Sequence, residues 1–244
     1  MNVYLKIEYS TGKVYEYSKD EKEGFEKHTS EKGKETYRRY FPRGVYGTLR
    51  GVTIREVEFN GTKTKEVSVA MRDKDQNNVY LNLPLFDGKK NITDYAEGVI
   101  SYLGGLTQRN EYRIYPFNIP NENNPKYSTV GVSIKTANLE TEKVDEDSDL
   151  PKLKKSYTKK DGTKVVGEIP EIIFEKDFDG SWTKDAKARN KFLYQTLEAF
   201  VENGNSVEET TTPAPKAEAK PAIQPDKSFD KVAPSVDNDD LPFG

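Results

Sequence analysis

Residues 45–86, VYGTLRGVTIREVEFNGTKTKEVSVAMRDKDQNNVYLNLPLF, decide the fold. Val52, Ile54, Val57 and Phe59 sit among charged residues, which predicts a long strand from about Val45 to Phe59. The change of parity between Ile54 and Val57 predicts a bulge or bend there. Asn60-Gly61 is a hairpin signal, Val67 and Val69 mark a second strand from Lys65 to Met71, and residues 73–78 turn. Val79, Leu81, Leu83 and Leu85 then share one face of a third strand. Three strands meander.

Beyond this stretch the period changes. Thr93 or Asp94 caps a helix running to Leu103, with Val99, Ile100 and Leu103 at helical spacing and Gly104-Gly105 as its stop. Residues 111–119 and 129–134 restore strand patterning around the polar loop from Pro120 to Lys126. Three strands, one helix and two strands is the order of an oligonucleotide/oligosaccharide-binding (OB) barrel, a five-stranded Greek key. The predicted class is mainly β. Upstream, Val3, Leu5 and Ile7 alternate, Thr11-Gly12-Lys13 turns and residues 14–17 return, so an N-terminal hairpin is an extension of that barrel. Residues 19–36 read as a loop that holds His28, the only histidine, as an ordinary exposed residue.

Downstream, residues 140–149 are acidic, and Lys152 to Lys164 is basic with a hairpin turn at 160–162. An apolar strand is predicted from Ile169 to Phe174, then a helix from about Thr183 to Val201, with Trp182 anchoring its start. From about Asn203 the composition shifts to Pro, Ala, Lys, Thr and Glu, and the prolines at 213, 215, 221, 225 and 234 predict disorder. The expected organisation is a barrel with its hairpin over 1–139, an extension packing on it over 140–203, and a disordered linker and tail over 204–244.

Composition narrows the chemistry. Of the 244 residues 34% are hydrophobic and 32% charged, there is no cysteine, and one histidine leaves no multi-His metal site or His-based triad. Asp73/Asp75/Asn77, Asp145/Asp147/Asp149 and Glu175/Asp177/Asp179 begin like calcium loops, but Pro84, Ser156 and Ala186 stand where the last ligand belongs. No phosphate loop or GxSxG occurs. We expect no cofactor, no metal and no catalysis. The N-terminus lacks a signal peptide's apolar run and no stretch suits a membrane, so the expected location is cytoplasmic, with the sequons at Asn60 and Asn91 chance matches.

The net charge of −3 averages unlike regions. From Ser206 onward eight acids face four lysines, net −4, which leaves +1 for everything before it. Residues 32–72 hold ten basic side chains against four acidic ones. Within that window Tyr37, Arg38, Arg39, Tyr40, Phe41, Arg43 and Tyr46 interleave rings with cations and run into Arg50 and Arg55. Single-stranded nucleic acid needs cations for its phosphates and flat faces for its bases. Further candidates are Lys63, Lys65, Arg72, Tyr80, Tyr112, Arg113 and Tyr115. The competing reading gives these rings to packing and the cations to solvation, in a structural or protein-interaction protein with an OB-like barrel.

The chain ends Asp237, Asn238, Asp239, Asp240, Leu241, Pro242, Phe243, Gly244. An acidic cluster with an apolar residue, Pro and Phe, at the end of a Pro-rich linker, resembles the terminal tail of bacterial and phage single-stranded DNA-binding proteins. Here Gly244 follows the Phe and moves the terminal carboxylate one residue on. The resemblance implies an OB core that coats single-stranded DNA during replication, recombination and repair. It implies that Asp237, Asp239, Asp240, Leu241, Pro242 and Phe243 recruit replication or recombination proteins. Many tails along one strand would raise the local concentration of such partners.

Overall fold

The computed structural model describes residues 1–204 apart from 31–32, 60–61, 125–126, 160 and 177–179. The linker and acidic tail, with Asp237 to Gly244, lie outside the described residues, as do the Asn60-Gly61 signal and Asp177/Asp179 of the third calcium-like run.

The strands are β1 (Asn2–Ile7), β2 (Val14–Ser18), β3 (Glu26–Thr29), β4 (Glu35–Phe41), β5 (Val45–Phe59), β6 (Thr62–Arg72) and β7 (Asn78–Pro84). Helix α1 (Asp94–Tyr102) and a 3-10 turn (Leu103–Gly105) follow, then β8 (Glu111–Pro120), β9 (Ser128–Asn138) and β10 (Lys143–Val144). Two small hairpins, β11 (Tyr157–Thr158) with β12 (Lys164–Val165) and β13 (Ile173–Lys176) with β14 (Trp182–Asp185), lead to α2 (Lys187–Glu202).

The fold is mainly β. β5, β6 and β7 pair as an antiparallel meander, and β8 returns after α1 to lie beside β5, so β8-β5-β6-β7 is a Greek key. The sheet is open rather than a closed barrel, with ten strands in the order β10-β9-β8-β5-β6-β7-β1-β2-β4-β3. The N-terminal hairpin explains this. β1 takes the free edge of β7 in parallel, with Val3 opposite Val79 and Leu5 opposite Leu81.

Strand alternation sorts the side chains. Val3, Leu5 and Ile7 of β1, Val67, Val69 and Met71 of β6, Val79, Leu81 and Leu83 of β7, and Ile114 of β8 are buried on the inner face. Burying each removes roughly 1.5–3 kcal/mol of apolar exposure. Helix α1 lies on this face. Thr93 accepts from the Ala96 amide at 3.2 Å and donates to the Pro84 carbonyl at 2.6 Å, which fixes the helix start to the end of β7. Gly98 allows α1 close to β9, since a Cβ there would stand 2.8 Å from the Val132 nitrogen.

Four predicted elements need correction. The bulge in β5 lies between Leu49 and Gly51, where the pairing with β6 shifts, and the register is regular past Ile54. The expected loop 19–36 contains β3 and the start of β4, with His28 half-buried on β3. In the expected apolar strand only Ile169 is buried, bridging Lys155, whereas Ile173 and Phe174 are exposed on β13. Helix α2 starts at Lys187 rather than Thr183, because residues 182–185 pair with β13, and Trp182 is therefore an exposed strand residue, not a helix anchor.

Leu193, Leu197 and Phe200 of α2 join the core, and Arg189 makes two hydrogen bonds to the buried carboxylate of Glu97 on α1, one at 2.8 Å and one at 2.5 Å. Lys155 completes the cluster at 2.5 Å from Glu97. Among the described residues no helix is long and apolar enough to cross a membrane.

Candidate nucleic-acid interface

The alternation that buries Val3, Leu5 and Ile7 turns Tyr4 and Lys6 to the outer face of the same sheet. Pairing carries that face across neighbouring strands. Ala70, Tyr80 and Tyr4 lie in one row over β6, β7 and β1, and Lys6, Tyr15 and Tyr40 in another over β1, β2 and β4. Arg55, Arg72 and, through β8, Arg113 and Tyr115 share this face, as do Tyr46 opposite Arg113 and Lys135 opposite Arg113.

Rings and cations are already in contact there. Tyr4 and Tyr80 stack with centroids 5.1 Å apart, and the Arg55 guanidinium lies 5.8 Å from the Tyr4 ring while Nη1 donates to Asn82 Oδ1 at 3.4 Å. Arg38 covers Tyr15 at 4.3 Å, Lys13 approaches Tyr40 at 5.8 Å, Lys6 approaches Tyr17 at 5.9 Å and Arg113 covers Tyr115 at 4.5 Å. Each arrangement leaves a flat surface beside a positive charge. Tyr4 is 48% exposed, so its ring is open to a further stacking partner. Burial pushes the Tyr15 hydroxyl up, with Arg38 pulling the other way, so this phenol is neutral at physiological pH and does not repel phosphate.

Not every cation is free to bind. Arg38 is held by Glu8 at 2.9 Å and Lys135 by Glu146. Arg113 Nε donates to the Arg43 carbonyl at 2.7 Å, which fixes the turn between β4 and β5. That turn needs Gly44 at φ +84°, and exposes Arg43.

Of the residues singled out from the sequence, the outer face gathers Arg38, Tyr40, Tyr46, Arg55, Arg72, Tyr80, Arg113 and Tyr115. Arg50 is exposed at the bulge. Others face elsewhere. Tyr112 is buried in the core, where its hydroxyl accepts from the Thr107 amide at 2.9 Å, so it offers no ring to a base. Lys65 is on the inner parity of β6 and donates to the Tyr194 hydroxyl of α2 at 2.7 Å, a bond that also raises its pKa. Lys63 shares that parity at the exposed end of the hairpin. Tyr37, Arg39 and Phe41 fall on the inner side of β4, where Arg39 pairs with Glu16 at 2.6 Å and lies 5.3 Å from the Phe41 ring. A cleft of about 440 Å3 opens there, lined by Val3, Arg39, Phe41 and Val79. At its rim Lys74 pairs with Glu142 at 2.8 Å.

Sequence reasoning missed Tyr4, Lys6, Lys13, Tyr15 and Tyr17. The signal was present in the N-terminal hairpin, whose polar alternate positions are tyrosines and lysines rather than the Ser, Thr and Glu of an ordinary solvated face. Among the described residues no three His, Asp or Glu side chains cluster as a metal site. The Asp73 carboxylate is engaged by its own turn, accepting from the Asn77 amide at 2.7 Å. Comparison of the chain with protein-family models, curated proteins and solved structures gave no match in any of the three.

Proposed function

We propose that the chain is a non-enzymatic single-stranded DNA-binding protein, of the phage or bacterial kind that its last eight residues resemble. The observation that carries this reading is the Tyr4–Tyr80 stack with Arg55 against it, on an outer strand face further populated by Tyr15, Tyr17, Tyr40, Tyr115, Lys6 and Arg72. Bases stack on such rings whatever their identity, and arginines and lysines take the phosphates, so binding is sequence-tolerant and falls with salt.

The Greek key β5–β9 with α1 between its third and fourth strands supports an OB-type core, opened by insertion of β1 beside β7. In such cores the second and third strands and their flanking loops take the nucleic acid. Here those strands are β6 and β7, which carry Arg72, Tyr80 and Asn82. The protein would coat and protect single strands in the cytoplasm of a cell undergoing replication, recombination or repair. Its acidic tail, through Leu241 and Phe243, would recruit partner proteins and compete weakly for the basic face when DNA is absent.

A tyrosine-fluorescence or filter-binding titration with poly(dT), repeated across salt, tests the reading. Tight binding at low salt that weakens linearly on a log–log plot is the expected result. No binding at low salt refutes it.

A further inference from the structure

The hairpin β13–β14 is polarised. Phe174 stands opposite Lys184 and Lys176 opposite Trp182, so these four share one face, while Ile173, Glu175, Thr183 and Asp185 share the other. Phe174 is 61% and Trp182 49% exposed. Two large rings left in water, each opposite a lysine, with Glu175 and Asp185, the acids of the described strands, on the opposite side, make no sense as solvated surface, because covering each ring is worth roughly 1.5–3 kcal/mol. No other strand among the described residues pairs with this hairpin.

Its position is informative. Asn190, in the first turn of α2 just after β14, accepts from the Ile92 amide at 3.1 Å and donates its side-chain amide to Asn91 Oδ1 at 3.2 Å. β14, which runs directly into α2, therefore ends close to residues 91–92, past the end of β7. On β7 the outer-face row runs Tyr80, Asn82, Pro84 toward that end, a reach of about 13 Å at strand rise.

We infer that Phe174, Lys176, Trp182 and Lys184 form a second contact for single-stranded nucleic acid, an arm that takes bases on its two rings and phosphates on its two lysines as the strand leaves the Tyr4–Tyr80 platform. The inference rests on the single-stranded DNA reading above and extends it by a separate surface. Rings plus cations on one face fit a polyanion with π-faces.

Trp182 is the only tryptophan of the chain, so its emission reports on this arm alone. The test uses the full chain with oligothymidylates of about 6 and about 20 nucleotides, the shorter within and the longer beyond the roughly 4–16 nucleotides that a single OB core covers. Trp182 emission should be quenched by the long oligomer and not by the short one. Trp182→Ala and Phe174→Ala should each weaken the long oligomer about tenfold and leave the short one unchanged, with Trp182→Phe retaining affinity. Lys176→Ala with Lys184→Ala should flatten the salt slope for the long oligomer by about 1.4, at about 0.7 per lost contact. If these variants bind both lengths like wild type while Tyr80→Ala binds neither, the arm is refuted and the platform stands. If wild type binds neither length, the underlying reading fails as well. If deleting residues 237–244 shifts Trp182 emission without DNA and the long oligomer then binds the truncated chain without quenching Trp182, the hairpin holds the acidic tail alone and the inference is overturned.

Discussion

Tyr4 and Tyr80 stack nearly parallel, with ring centroids 5.1 Å apart and planes inclined by 16°. They meet because β1 joins β7 in parallel with the two residues in register. The same pairing opens the sheet, so one backbone choice both prevents closure of the barrel and assembles the stacking platform. The site is thus a property of the sheet rather than of a loop, and its rings are held by a ladder of backbone hydrogen bonds instead of by mobile connections.

Replacing the more exposed partner tests the platform directly. Tyr4→Ala should lower poly(dT) affinity about tenfold, within the ~1–3 kcal/mol that one base stack contributes, and Tyr4→Phe should restore it. Thermal melts should change little, because half of the Tyr4 side chain is already in water. Unchanged affinity in Tyr4→Ala would remove the platform from the binding surface.

Arg55 adds charge and a plane. Arg55→Ala should flatten the dependence of log affinity on log salt by about 0.7, the loss of one phosphate contact on a single strand. Arg55→Lys should recover that slope yet not the whole affinity, since an ammonium cannot lie flat against the Tyr4 ring. Identical salt slopes for wild type and Arg55→Ala would place this guanidinium outside the interface.

Tyr112 and Tyr115 separate burial from binding on one strand. Tyr112→Phe should cost about 0.5–1.5 kcal/mol in urea unfolding, because the Thr107 amide loses its acceptor, and leave DNA affinity alone. Tyr115→Ala should do the reverse. A binding defect in Tyr112→Phe would show that the two faces of β8 had been misassigned.

That pair also marks what is readable without coordinates. The meander and the helix after it were legible because Val67, Val69 and Met71, then Val99, Ile100 and Leu103, follow periods set by local geometry alone. Alternation against Ile114 would likewise have placed Tyr112 inside. Strand β3 was illegible because Glu26, Lys27 and Thr29 are exposed, leaving no apolar alternation to read. The β1–β7 pairing was illegible for a different reason. A parallel partner far along the chain leaves no turn signal, so nothing local distinguishes a hairpin that extends a barrel from one that takes its open edge. Trp182 misled because a large apolar residue near an apolar helical stripe is ordinarily its anchor, whereas here Gly180, at φ +85°, lets the chain double back into β14.

The contact between α1 and β9 should be intolerant of a single methyl. Gly98→Ala gains up to about 1 kcal/mol of helix propensity, but its Cβ would sit 2.8 Å from the Val132 nitrogen, and overpacking of this kind costs about 1–3 kcal/mol. Net destabilisation by urea is expected. Gly104→Ala, with nothing within 4 Å of the added carbon, serves as the control and should be neutral or better. Equal midpoints for the two variants would mean that α1 can shift away from β9 at no cost.

The Glu97 cluster ties residues 155–202 to α1 and should set the acid limit of the fold. Burial raises the Glu97 carboxyl, but hydrogen bonds and charge from Arg189 and Lys155 outweigh it and hold the group below its ordinary value. A carboxylate depressed in the folded state contributes stability that is fully present above the unfolded pKa, about 4.3, and is lost as pH falls through the folded value. Stability should therefore decline below about pH 4.3, partly through this site. Glu97→Gln strands the buried Arg189 charge and should cost about 3–5 kcal/mol at neutral pH, while making the acid decline shallower. Arg189→Met leaves Glu97 with Lys155 alone and should steepen sensitivity to salt, because Lys155 is half exposed. Urea unfolding of the three proteins from pH 3 to 7 separates these effects, and an acid decline of the same slope in Glu97→Gln as in wild type would assign it to other carboxylates.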